Sequence, residues 1–213
     1  MFYKDSQGIY RVRLLEGLPW LEHGFGTRHS FELVGDPRLA TLHQIHSDIC
    51  VRAHGRTGLL GDGDALIDNR PGNLLAVKTA DCIPILLVDE GHCAVAAVHA
   101  GWRGTVAGIA GSTVRAMQKE FSTDPRLMQV AIGPGIGKCC YEVGADVAAQ
   151  FGESGPAHID LVETNRRQLM ETGIPESSIY AANLCTKCNA GDFHSYRRDK
   201  ELAGRMLSFI GWK

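Results

Sequence analysis

Cys82 and His99 flank two short apolar runs, and their types and spacing could do chemistry. Residues 78–104 read KTADCIPILLVDEGHCAVAAVHAGWRG. The runs, 83–88 and 93–98, are rich in Ile, Leu, Val and Ala. Their shortness makes them buried strands rather than helices. The polar break between them, Asp89-Glu90-Gly91-His92, contains a glycine, so a hairpin is the simplest connection. In an antiparallel hairpin the start of one strand lies beside the end of the next, which brings Cys82 and His99 together. A thiol and an imidazole at the mouth of a buried sheet form either a metal site or a nucleophile–base pair. The same two residues would serve equally as a buried cysteine and a hydrogen-bonded strand-end histidine. The flanking Asp81, Trp102 and Arg103 favour the chemical reading.

Other residues could join them. His43 and His46 are three apart in TLHQIHSDICVRAH, so they share a face only if that segment is helical. Either could ligate a metal. Arg28 follows the glycines of HGFGTRHS on a loop and is a candidate anion binder. Residues 105–120 keep helical spacing through Val106, Ile109, Ala110, Val114 and Met117. A helix beginning after Gly104 would point its N–H groups toward Arg103 and form a phosphate corner. Cys185 and Cys188 make one CxxC, which lacks the second pair of a zinc ribbon and reads as structural thiols. Residues 193–199, FHSYRRD, either line a pocket or form a solvated turn.

The elements that must position these groups follow from pattern and punctuation. Strands are expected at 49–51, 64–67, 74–77, 128–132, 179–182 and 206–212, with an edge strand within 8–15. Helices are expected at 105–120, 145–151 and 162–172, the last stopped by Gly173 and Pro175. The Gly-rich segment 55–63 lacks the Lys-Ser/Thr of a P-loop and reads as a turn. The segment 133–144, GPGIGKCCYEVG, is a shaped loop with Tyr141 and Glu142 at its exit.

Length and composition set limits. A chain of 213 residues with 44% hydrophobic residues supports one domain over 1–213. A net charge of −2 gives no electrostatic case for nucleic acid or an anionic membrane. No apolar run approaches the roughly 20 residues of a membrane helix, and the N-terminus lacks a signal-peptide core. The expected location is therefore cytoplasmic. Seven cysteines, two of them adjacent, do not suggest a secreted disulfide framework.

The segments HQIHSD, DGDALI, KTADCIPILL, AAVHAGWRG, GPGIGKCCYEV, NLCT and FHSYRRD, in that order, resemble the multicopper polyphenol oxidase, or laccase-domain, family. That family is regarded as purine nucleoside phosphorylases with adenosine deaminase activity, and it includes a peptidoglycan-editing factor. The resemblance implies an α+β fold with β-sheets sandwiched between helices, similar to Cys/His deamidase toxin domains. It implies a zinc ion held by Cys82, His99 and His46, with copper as a possible substitute, and leaves His43 as a supporting residue. It also aligns Arg28 with the family's Thr-Arg pair. Three mixed N and S ligands leave a fourth position open for water or substrate, as catalytic zinc requires. Purine nucleosides and phosphate are the implied partners, in a monomer or weak homodimer. Arg28 and Arg103 are the expected phosphate ligands and Asp81 the expected proton donor. The rival readings are a Cys82–His99 hydrolase acting on peptidoglycan precursors and a copper-dependent polyphenol oxidase. The scattered histidines, none in paired H-x-H motifs, speak against the oxidase.

Overall fold

The apolar hairpin is the centre of the molecule. In the computed structural model, which describes residues 1–30 and 35–213, strands Ile83–Asp89 and Ala94–Ala100 pair antiparallel and are buried along their whole length. Alternation explains how one hairpin serves two cores. Ile83, Ile85, Leu87, Ala96 and Val98 face a core shared with helices Ile109–Phe121 and Leu161–Glu171. Leu86, Val88, Val95 and Ala97 face the other way, onto a second sheet.

The hairpin sits inside a six-stranded sheet with Gln129–Ile132 and Ile179–Ala181 on one side and Ala65–Asp68 and Cys50–Arg52 on the other. The second sheet has seven strands. Its centre is Met206–Trp212, paired antiparallel with both Leu21–Phe25 and Leu74–Thr79. Phe25, Leu75, Val77 and Ile210 of that sheet meet Leu86 and Val88 of the first. The fold is α+β, as expected. No described helix is long and apolar enough to cross a membrane.

Three elements differ from the sequence reading. Residues 105–120 are not one helix. Helix Trp102–Ala107 begins before Gly104, with Gly101 as its N-cap, and it ends at Gly108, which has φ +81°. A second helix, Ile109–Phe121, starts at once. The break changes the phase of the apolar face, leaving Val106 exposed while Ile109, Ala110, Val114 and Met117 are buried. Residues 58–62 are a strand rather than a turn. Gly58–Asp62 pairs parallel with Leu39–His43 at the edge of the larger sheet. Its residues are mostly exposed, so no alternation marked it. The strand expected within 8–15 is present as Tyr10–Val12 but is not at the sheet edge, because Phe2–Lys4 pairs outside it, and one helical turn, Arg13–Glu16, follows.

The two-sided hairpin predicts unequal costs for the same substitution. Leu86→Ala removes a fully buried side chain between the sheets and should cost about 2–5 kcal/mol. Leu59→Ala, at an exposed edge position, should stay within about 0.5 kcal/mol. Urea denaturation of the two variants measures the difference; equal midpoints would contradict the packing described.

Candidate active site

The hairpin mouth brings together Cys82, His99 and His46. His99 lies opposite Pro84 in the register, and Cys82 immediately precedes the strand that ends this pairing. One donor atom from each of the three lies within 4.8 Å of the others. Cys82 Sγ is 4.0 Å from His46 Nε2, and the two imidazole rings meet edge to face at 4.9 Å and 75°. Gly101 leaves the room. A Cβ there would stand 2.8 Å from His46 Cδ2 and 3.1 Å from Cys82 Sγ. That is why a glycine follows His99-Ala100 in the HAGWRG segment.

Asp64 holds the arrangement, and it is fully buried. Its Oδ1 accepts from His99 Nδ1 at 2.8 Å and from the His46 backbone N–H at 3.0 Å. Its Oδ2 accepts from the Ser47 N–H at 2.6 Å, the Ser47 hydroxyl at 2.7 Å and the Ile45 N–H at 3.3 Å. The Asp64 carbonyl also accepts from the His99 N–H at 2.7 Å. One carboxylate thus orients both histidines. His46 has φ +61°, a left-handed conformation that costs a non-glycine residue roughly 1–2 kcal/mol. The hydrogen bonds to Asp64 offset that cost.

The charges follow this geometry. Burial raises the Asp64 carboxyl, but the His99 and Ser47 hydrogen bonds outweigh it and hold it at about 2. Burial also raises the Cys82 thiol, yet the two imidazoles bring it down to about 6. His99 is lowered by burial and raised by Asp64 and Cys82, to about 9. The site therefore favours a thiolate near neutral pH.

The donor set fits a tetrahedral metal. Zn–S and Zn–N bonds of about 2.3 and 2.0–2.1 Å put S and N about 3.6 Å apart, close to the 4.0 Å between Cys82 and His46. The Nδ1–H···Asp64 bond leaves His99 Nε2 free to ligate, the usual carboxylate–histidine–metal pattern. His43 is not part of the trio. It ends a strand rather than lying on a helix, and its Nδ1 meets Asp62 Oδ1 at 2.9 Å on the exposed side.

The three residues open into a cavity of about 910 Å³. Arg103 lines it, its guanidinium stacked 4.3 Å from the Trp102 ring. Arg197, Lys78, Lys200 and Arg205 add positive charge, and Tyr141 and Tyr196 add aromatic surface. Arg197 lies 5.2 Å over the Tyr141 ring and donates to the Glu142 carbonyl at 2.6 Å. Burial, then the Cys82 charge, pushes the Tyr141 phenol up to about 12, so it keeps its proton.

Two expected residues sit differently. Arg28 is not among the described residues that line this cavity. Its N–H bonds the Asp192 carbonyl and its guanidinium bonds the Ala190 carbonyl at 2.8 Å. Those bonds tie its turn to the 189–192 loop. The helix expected to complete that corner starts at Trp102, so its first turn contains Arg103 rather than following it. Asp81 does line the cavity. Both its oxygens already accept hydrogen bonds, from the Thr186 hydroxyl and the Arg197 N–H, each at 2.6 Å. That suits a residue that positions Arg197 better than one that donates a proton.

Sequence reasoning missed Asp64, Ser47 and Thr186. Asp64 carried a signal in DGDALI, an acid directly before a buried strand. Ser47 and Thr186 carried none beyond their neighbours. If Asp64 sets the histidine orientation, Asp64→Asn should weaken metal affinity about 10–100-fold. Competition against a chromophoric chelator measures this; unchanged affinity in a folded variant would refute the role.

The chain is similar to known proteins along most of its length. A family model described as multi-copper polyphenol oxidoreductase laccase matches residues 27–213. A purine nucleoside phosphorylase of Bacteroides thetaiotaomicron is 38% identical over 195 residues, covering 85% of this chain and 68% of that protein. Purine nucleoside phosphorylase YlmD of Geobacillus stearothermophilus is 42% identical over 162 residues, 70% of this chain and 59% of that protein. Adenosine deaminase RL5, from an unknown prokaryotic organism, is 38% identical over 161 residues, 69% of this chain and 61% of that protein. The crystal structure of YlmD from Geobacillus stearothermophilus superposes with a TM-score of 0.91 at 30% identity, covering 100% of this chain and 98% of that one. The match therefore spans both sheets and every residue of the Cys82, His99 and His46 trio, and the chain belongs to the multi-copper polyphenol oxidoreductase laccase family.

Proposed function

We propose that this chain is a zinc-dependent purine nucleoside phosphorylase. It cleaves adenosine and inosine, and methylthioadenosine by the same route, with phosphate to the free base and a ribose 1-phosphate. It also deaminates adenosine more slowly. The observation that carries the reading is the convergence of a Cys/His/His donor set and a cation-lined aromatic wall on one cavity. Relatives named purine nucleoside phosphorylase and adenosine deaminase support the substrate class.

Each part of the wall has a task in that reaction. Zinc on Cys82, His46 and His99 would supply a Lewis acid and a bound water of lowered pKa. Arg103 has no hydrogen-bonding or ion-pair partner among the described residues, so its donors are available to a phosphate. Trp102 stiffens Arg103 by stacking beneath it. Tyr141, kept protonated, offers an O–H to a substrate acceptor. Arg197, fixed by Asp81 and the Glu142 carbonyl, adds charge without needing to reorganise. The low thiol pKa of Cys82 beside His99 favours a second reading, a metal-free Cys82 nucleophile with His99 as base, acting on peptidoglycan precursors. Exhaustive chelation separates the two: the zinc reading requires loss of activity and recovery on adding zinc.

Adenosine assayed with and without phosphate, with products separated by chromatography, tests the assignment. Losing a charge-assisted hydrogen bond to phosphate costs about 1.5–3 kcal/mol, or roughly 10- to 150-fold in rate. Arg103→Ala should lose that much phosphorolysis and keep most deamination. Cys82→Ala should lose both, and Arg28→Ala neither. Equal loss of both activities in Arg103→Ala would remove Arg103 from phosphate binding. Absence of free base from wild-type protein with phosphate present would remove the phosphorylase reading.

A further inference from the structure

Four of the seven cysteines converge at a second place, apart from Cys82. Cys139 and Cys140 lie on the turn after Gly137, and Cys185 and Cys188 lie on the CxxC turn. One sulfur from each is within 4.8 Å of every other. Cys140 Sγ is 3.4 Å and Cys139 Sγ 3.8 Å from Cys188 Sγ. We propose that these four cysteines form a tetrathiolate site for one zinc ion, which clamps together the two loops that carry Tyr141 and Thr186 to the catalytic cavity.

The geometry suits zinc. Four Zn–S bonds of about 2.3 Å in a tetrahedron put the sulfurs about 3.8 Å apart. The CxxC supplies one pair of ligands, and the adjacent cysteines supply the pair that the sequence pattern lacked. Adjacent residues can share one ion here because the chain turns tightly, with the N–H groups of Cys140 and Tyr141 both donating to the Gly137 carbonyl. Gly137 makes the approach possible, since a Cβ there would stand 3.2 Å from Cys185 Cβ and 3.3 Å from Cys139 Sγ. Backbone bonds already join the loops: Gly135 N–H to the Leu184 carbonyl and Thr186 N–H to the Gly135 carbonyl. Cys139 and Cys188 are exposed, so burial of apolar surface does not account for the clustering. Four thiolates favour zinc over hard cations, and filling all four positions leaves no place for substrate, which marks a structural rather than a catalytic site.

One loop reaches the cavity directly and the other through Asp81. Tyr141 follows Cys140 directly and lines the cavity wall. Thr186 lies between the CxxC cysteines, and its hydroxyl holds Asp81, which holds the Arg197 N–H. Arg198 braces the same turn from the other side, donating to the Thr186 and Lys187 carbonyls at 3.2 Å. A metal joining the turns would fix Tyr141 and the Thr186–Asp81–Arg197 chain relative to each other.

Metal counting tests this without reference to activity, so it stands or falls apart from the phosphorylase reading. Protein is produced in zinc-supplemented medium as wild type and as the double variant His46→Ala, Cys82→Ala, which abolishes the first site. The expected zinc content is two equivalents in the wild type and one in the double variant. Cobalt substituted into the double variant should give the intense sulfur-to-metal charge transfer and tetrahedral bands of four thiolates. Cys140→Ser with Cys188→Ser, added to the double variant, should abolish both signals. If that variant does not fold, the metal count and cobalt spectrum of the double variant still decide. Chelation of the double variant should lower its Tm. No bound zinc, iron in its place, or a disulfide joining any of the four cysteines in unreduced double variant would overturn the site. Stoichiometric zinc whose removal leaves Tm unchanged would overturn the clamp.

Discussion

The interaction on which the site depends is the pair of hydrogen bonds that Asp64 Oδ1 accepts from His99 Nδ1–H and from the His46 backbone N–H. A buried carboxylate is costly unless its lone pairs are satisfied. Asp64 meets that condition by collecting the Ser47, Ile45, His46 and His99 donors. In doing so it fixes three things at once: the tautomer of His99, the left-handed turn at His46, and the approach of the 45–47 loop to the hairpin mouth. These contacts hold the three candidate ligands close together and stiffen the site. The stiffness comes from the hairpin itself, packed on helices through one face and on the second sheet through the other.

Much of this was legible in the sequence, for a physical reason in each case. The hairpin could be read because both of its faces are buried, so its strands are continuous apolar runs and its break contains glycine. The pairing of Cys82 with His99 then followed from antiparallel geometry alone. The strand at Met206–Trp212 was visible for the same reason. The strand at Gly58–Asp62 was not, because an exposed edge strand carries no apolar alternation and two glycines imitate a turn. The break at Gly108 was hidden because its flanking residues keep helical spacing even though the face rotates. The contacts of Arg28 were not legible, because a motif position says nothing about which neighbour meets a guanidinium. Here the Ala190 carbonyl does. The four-cysteine cluster escaped because its pairs are of different kinds, one adjacent and one spaced by two.

Charge and shape divide the cavity between two jobs. Cys82, His46 and His99 form one side, where the two imidazoles lower the thiol pKa against the effect of burial. Arg103, Arg197 and Lys78 form a basic wall, and Trp102 and Tyr141 add aromatic surface. A water-activating site needs no such basic wall for a neutral nucleoside. A basic wall of this kind suits an anion held beside the substrate, and that is the feature on which the proposed phosphorolysis rests.

The copper in the family's description can be weighed against the ligands this chain offers. A multicopper oxidase moves electrons between several copper centres and needs histidines gathered in numbers. Among the described residues, only His46 and His99 gather with another metal-binding side chain. His23 is buried, pushed down to about 4 chiefly by burial, and spends its Nε2 accepting from the Val12 N–H. His92 is bound to Asp89, His158 to the Lys138 carbonyl and His43 to Asp62. The described residues therefore offer one His-containing donor group with a single cysteine, and one group of cysteines alone. A Cys/His/His site could take copper as a substitute, because imidazole and thiolate suit it as well as zinc. Among the described residues no further His-rich centre lies beside it to share electrons, so the donor set suits Lewis-acid chemistry at one ion better than multicopper oxidation.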